Sequence, residues 1–316
     1  MKKFKSVLLF VTLLLIFLLN TEIYKENRTK KLSSFEELSS VDFITYSEKI
    51  CLTDNENEVF LLLNENSDNY IKSTDFVNYK IRYKSDIYEV SGMISAPADY
   101  LAKKYPILIH NRGGNRDYGR ENFGIIQAFA SRGFIVLASN YRGVDGGTGN
   151  DEFGGGDVED VNTLIDLAEN LSFSNGKVYM NGWSRGGMMT FCALRGIDKG
   201  IDAATVFAAE SNLITSFNEG DNEFKKVLVN LIGGSPRNLE EEYKKRSAIF
   251  WVDEIYTPLL IIHGEIDNTV NIRQSEVLYE KMHSIGKTVE MKVLQLAGHD
   301  VSYEIINIIS EWLLNK

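Results

Sequence analysis

Val178-Tyr179-Met180-Asn181-Gly182-Trp183-Ser184-Arg185-Gly186-Gly187-Met188, running on to Leu194, decides how this chain is read. The apolar run 178–180 predicts a buried strand, the run 188–194 predicts a helix, and Ser184 stands at the turn between them. A G-x-S-x-G turn needs glycine on both flanks, because the backbone folds back too tightly for a side chain there. The serine oxygen is thereby lifted above the end of a sheet. It also sits at a helix N-terminus, where aligned peptide dipoles favour an anion.

A serine hydroxyl is a weak nucleophile at neutral pH. It needs a base, and the base needs a third group to orient it. Leu259-Leu260-Ile261-Ile262-His263-Gly264-Glu265-Ile266-Asp267 reads as a strand running into a turn that carries Asp267. Residues 289–296 read as the next strand, followed by Ala297-Gly298-His299-Asp300. Ser184, Asp267 and His299 therefore each follow the C-terminal end of a predicted strand, the edge where open α/β sheets place their sites. Among the four histidines, His299 is the expected base. His263 lies inside a strand and suits a structural hydrogen bond, His283 falls on the polar part of a helix, and His110 ends another strand. Asp267 is the expected acid, with Glu265, Asp253 and Asp300 as competitors. An oxyanion needs backbone donors. The expected ones are the N–H of Arg185 and, in the loop Asn111-Arg112-Gly113-Gly114, the N–H of Arg112, with Asn111 as the alternative.

These blocks resemble the catalytic domain of the prolyl oligopeptidase family of serine hydrolases. The matching stretches are Ile109-His110-Asn111-Arg112-Gly113-Gly114, Ser139-Asn140-Tyr141-Arg142-Gly143, Gly155-Gly156-Asp157-Val158-Glu159-Asp160-Val161, the Ser184 turn, Thr257 through Asp267, and Gly298-His299. The resemblance covers residues 75–316. It implies an α/β-hydrolase fold, with Ser184 as nucleophile, Asp267 as acid and His299 as base. Two departures stand out. Asn111 and Arg112 follow His110 where the family usually has two glycines, and Arg185 follows the serine where the family often has an aromatic residue. Both changes are expected to line the pocket. A β-propeller, common in the long peptidases of this family, takes several blades of about 40–50 residues each, and residues 1–74 show no such repeat.

The 316 residues suffice for one large α/β domain, and 44% hydrophobic and 25% charged residues are ordinary for a globular protein. A net charge of −10 argues against nucleic acid as a partner. No metal motif is present and no cofactor is expected. Cys51 and Cys192 form no disulfide framework. The charge pairs Asp151-Glu152 and Glu240-Glu241-Glu242 read as solvated faces, and Asp157 as the N-cap of a helix over 157–171.

Lys2, Lys3 and Lys5 precede the apolar run 7–19. That is the pattern of an export signal or an N-terminal membrane anchor over 1–20, and it predicts an exported protein. Residues 21–74 read as a tether, polar over 20–40, and an N-terminal extension. From about residue 77 the pattern is a hairpin over 79–83 and 88–94, then strands over 107–110, 134–139, 178–181, 205–209 and 259–263, with helices over 272–285 and 305–314. Residues 211–251 read as a helical cap or lid. Three functions fit: a serine peptidase acting on short peptides, a carboxylesterase, and a catalytically silent binding protein. The resemblance favours the first.

Overall fold

The computed structural model describes residues 31–52, 73–196 and 200–316. The expected signal or anchor, and most of the expected extension beyond Leu52, lie outside them. Among the described residues no helix is long and apolar enough to cross a membrane.

A nine-stranded sheet forms the centre, in the order β1-β2-β3-β5-β4-β6-β7-β8-β9. The antiparallel edge comprises β1 (Ile44–Ile50), β2 (Phe76–Ser85) and β3 (Tyr88–Pro97). Asp86 turns the β2–β3 hairpin at φ 52°, a left-handed conformation that Asp tolerates better than most residues. Then follow β4 (Ile107–Asn111), α1 (Phe123–Ala130), β5 (Ile135–Ser139), α2 (Val158–Asn170), β6 (Val178–Trp183), α3 (Arg185–Leu194) and β7 (Ala203–Phe207). Three short helices come next, α4 (Leu213–Glu219), α5 (Asn222–Ile232) and α6 (Glu240–Lys245). The chain closes with β8 (Leu259–Gly264), α7 (Arg273–Ser284), β9 (Val289–Leu294) and α8 (Tyr303–Leu314). Strands β4 to β9 pair in parallel, so all of their C-terminal ends face one edge.

Successive side chains on a strand point to opposite faces, and here that rule sorts the core into two layers. Ile107, Ile109, Ile135, Leu137, Met180 and Val206 belong to one cluster, which includes Leu164 of α2 and Phe191 of α3. Leu108, Val136, Tyr179, Phe207 and Ile262 belong to the other, with Phe129 of α1 and Ile306 of α8. A polar row crosses the apolar centre. His110 Nδ1 bonds Asn181 Oδ1 at 2.9 Å, and Asn181 Nδ2 donates to Thr205 Oγ1 at 2.9 Å. Each residue in that row thus has a hydrogen-bond partner one strand away, as burial favours, and His110 Nε2 faces Glu121 at 3.5 Å.

Three expectations change. Residues 31–40 do not behave as a tether. Leu32 bridges to Leu171, and Phe35 and Leu38 are fully buried. Phe35 packs its ring 4.7 Å from Tyr100 and 4.9 Å from Phe173, so a stretch that is polar on average still delivers its few apolar residues to the core. The boundary expected at residue 75 is crossed as well, because β1 is the edge strand of the main sheet. Asp157 does precede α2, but its carboxylate makes no capping bond to that helix and turns inward instead. The segment 211–251 is helical as expected.

Phe35→Ala should therefore lower stability by about 3–5 kcal/mol, the range for deleting a buried aromatic side chain. Urea denaturation checks this; a loss below about 1 kcal/mol would mean that 31–40 is only loosely attached.

Candidate active site

The turn between β6 and α3 is as tight as its glycines require. A Cβ on Gly182 would lie 2.1 Å from the Gly186 carbonyl oxygen, and one on Gly186 would lie 1.9 Å from that of Asn111. Between them Ser184 takes φ 56°, ψ −127°, a region that costs a non-glycine residue about 1–3 kcal/mol. Its own backbone N–H, donating to Phe207 O at the end of β7 (2.9 Å), helps to hold it there.

Strand ends bring the other two groups to this point. Asp267 lies in the turn after β8 and His299 in the loop after β9. His299 Nε2 stands 2.9 Å from Ser184 Oγ, and His299 Nδ1 stands 2.8 Å from Asp267 Oδ2. A carboxylate only accepts, so Nδ1–H donates to Asp267 and leaves the Nε2 lone pair for the serine hydroxyl proton. The competing acids Glu265, Asp253 and Asp300 are all exposed. Asp267 Oδ1 accepts from Thr269 N (2.8 Å) and Val270 N (2.9 Å). Burial alone would push this carboxyl up, but His263, His299 and the two backbone donors outweigh it and hold the group well below the usual carboxylate range. A depressed folded-state pKa contributes stability above the unfolded value of about 3.9. That contribution declines as pH falls below about 4.

His263 bonds Ser275 Oγ at 2.7 Å and Val270 O at 2.9 Å, a structural role. His283 lies beside Tyr279 on α7. Cys51 and Cys192 are free. One residue of the site was not foreseen. Trp183 Nε1 donates to His299 O at 2.8 Å, with the two rings 5.8 Å apart, so the residue before the serine anchors the histidine loop. Its place in the motif gives its position; only the fold shows its partner.

The arginines correct the sequence reading most. Both side chains are buried and bonded to protein groups. Arg185 turns inward, pairs with Asp151 at 2.6 Å and Asp157 at 2.7 Å, and lies against the rings of Tyr141 and Phe153. Asp151, expected on a solvated face, is thus a buried counter-ion, whereas Glu240, Glu241 and Glu242 do lie on the surface, paired with lysines. Arg185 Nη1 also donates to Gly114 O. Arg112 binds the carbonyls of Asn140, Arg116 and Tyr118, and its own carbonyl accepts from Tyr141 Oη. Asn111 is buried and donates to Thr190 Oγ1. Together these contacts clamp the loop after β4 beside the Ser184 turn. Gly113 lies directly against it, since a Cβ there would come within 3.3 Å of Ser184 Cβ. The Arg185 N–H sits in the first turn of α3, where the helix offers it no acceptor.

The model of the prolyl oligopeptidase family matches residues 107–314. The chain belongs to the prolyl oligopeptidase family. It is 32% identical over 245 residues to the protein named uncharacterized peptidase YtmA of Bacillus subtilis, covering 75% of this chain and 93% of that one. Uncharacterized peptidase YuxL of the same organism is 27% identical over 241 residues, covering 71% of this chain and 36% of its own length. Acylaminoacyl peptidase of Pyrococcus horikoshii shares the fold, with a TM-score of 0.62 at 22% identity over 76% of this chain, which spans 41% of the length of that structure. As a member of this family the chain is a serine hydrolase.

Arg185→Met should cost about 3–5 kcal/mol, because removing one partner leaves Asp151 and Asp157 buried without a cation. Thermal or urea unfolding reads this; a change within about 0.5 kcal/mol would show that the two carboxylates find other partners.

Proposed function

We propose that this family member is a serine peptidase acting on short peptides through a two-step acyl transfer. The observation that carries the reading is the hydrogen-bonded chain Ser184–His299–Asp267 at the ends of β6, β9 and β8 on one edge of the sheet. The name of the Bacillus subtilis relative as a peptidase agrees with it.

In the first step Ser184 Oγ attacks the substrate carbonyl carbon while His299 Nε2 takes the hydroxyl proton. The carbonyl π electrons move onto oxygen. Arg185 N–H is the first donor to that oxyanion. The second comes from the loop backbone at Arg112 and Gly113, the part of the chain clamped against Ser184. Collapse breaks the C–N bond, and His299 returns its proton to the departing amine. Water then repeats the sequence on the acyl-enzyme, releasing the acid and restoring Ser184. Asp267 keeps the imidazole in the productive tautomer and stabilises its charged form. Because Asp267 is held ionised well below the usual carboxylate range, the pH profile of kcat/KM should show no inflection near about pH 4. A carboxylate inflection there would contradict this.

The run Lys2 to Lys5 and the apolar stretch 7–19 support export, with 1–20 as signal or anchor.

Matched ester and anilide substrates, with Ser184→Ala as control, test the proposal. Anilide turnover should fall about 10⁴–10⁶-fold in Ser184→Ala and about 10⁴-fold in Asp267→Asn. Turnover of esters alone would replace the peptidase reading with a carboxylesterase. Failure of a serine-directed phosphonate to label the protein would leave a silent binding protein.

A further inference from the structure

A cavity of about 240 Å³ opens at the Asp267 end of the Ser184–His299–Asp267 chain. Asp267 itself forms part of its wall. Glu210, Glu219, Phe224, Val270 and Gln274 are among the other lining residues, the remainder are uncharged, and no lysine or arginine lines it. Its roof comes from the helical segment, through Glu219 of α4 and Phe224 of α5. The volume is below the roughly 300–1,000 Å³ of sites that hold drug-sized ligands, so it suits one side chain rather than a peptide.

Glu210 is the informative group. It is only 5% exposed, and its Oε2 has no hydrogen-bonding partner among the described residues. Its carboxyl takes a hydrogen bond from its own backbone N–H. Buried carboxyls are ordinarily paired, because an unpaired one loses its hydration for nothing. The nearby guanidinium of Arg185 gives it no bond: its Nη groups bond Asp151 and Asp157, and its Nε has no hydrogen-bonding partner among the described residues. Burial, and then the charge of Asp267, push the Glu210 carboxyl up, while His299 and Arg185 pull the other way.

The chain path ties this carboxyl to the reacting atoms. Glu210 comes three residues after Phe207, whose carbonyl accepts the Ser184 N–H. Ala209 packs against Gly187 in the first turn of α3, where a Cβ would lie 2.3 Å away. Both contacts hold the strand end that leads to Glu210 against the Ser184 turn.

We infer that this cavity receives the side chain of the residue whose carbonyl is attacked, and that Glu210 selects a cationic one, lysine or arginine. The inference rests on Ser184 being the nucleophile. Phe224 and Val270 supply apolar wall for the methylene stem, and Glu210 meets the charged head. Glu219, at the exposed side, adds a second negative charge at the mouth.

The test compares two acetyl-dipeptide anilides that differ only in carrying lysine or norleucine at the attacked residue. A hydrogen-bonded charge pair of this kind corresponds to about a 10–100-fold preference. The kcat/KM ratio of lysine to norleucine should thus exceed about 10 in the natural protein and fall to about 1 or below in Glu210→Gln. The ratio does not depend on how much of the variant folds. A natural ratio near or below 1, or one that Glu210→Gln leaves unchanged, overturns the inference. If neither anilide is cleaved, the peptidase reading fails and the pocket is judged separately, by calorimetric binding of the two acetyl-dipeptides to Ser184→Ala. Binding about tenfold tighter for lysine supports the pocket; equal binding overturns it.

Discussion

Ser184 is held in a backbone conformation that a serine avoids on its own, and the site follows from that constraint. Gly182 and Gly186 make the turn sterically possible, and the Phe207 carbonyl takes the Ser184 N–H. Only a strand followed immediately by a helix, flanked by β4 on one side and β7 on the other, supplies those contacts together. Parallel pairing then does the rest. It lines up the ends of β6, β8 and β9, so that a serine, an aspartate and a histidine far apart in the chain meet within hydrogen-bonding distance.

Buried charge fixes the surroundings. Arg185 reaches back from the first turn of α3 to Asp151, Asp157 and the Gly114 carbonyl, which joins the nucleophile turn, the loop after β4 and the loop before α2. Two carboxylates share one guanidinium, and they respond differently. Burial and the neighbouring Asp151 charge push Asp157 up, whereas Arg185, with backbone donors, overcomes burial and holds Asp151 down. Such a cluster contributes little net stability compared with apolar packing, yet it tolerates no missing member. Its use here is geometric. The fork of Arg185 sets where the loop backbone passes Ser184, which a flexible, singly bonded side chain would not do.

Asp267 belongs to two environments at once. One face orients His299, with His263, Thr269 and Val270 keeping the carboxylate charged. The other face borders the cavity that Glu210 shares. The hydrogen bond to His299 and the wall of the cavity thus meet at one strand end, under a roof of short helices that the sheet does not dictate.

Much of this was legible in the sequence, for reasons that can be stated residue by residue. Short apolar runs marked the central strands, the glycines around Ser184 marked a turn with no room for side chains, and the order serine, aspartate, histidine, each just past a strand end, marked the candidate triad. These signals are local, or depend only on chain order. Strand ends were less sharp: β7 was expected over 205–209 and spans Ala203–Phe207, because Ala208 turns at φ 52° out of the ladder. Helix α1 is short and begins at Asn122, whose cap is visible only once Gly124 donates to it. The direction of Arg112 and Arg185, the burial of Asp151, the partner of Trp183 and the packing of Phe35 were decided by tertiary structure alone. Each depends on which distant segment lies opposite, and an arginine beside a catalytic serine reads the same in sequence whether it faces substrate or two buried carboxylates.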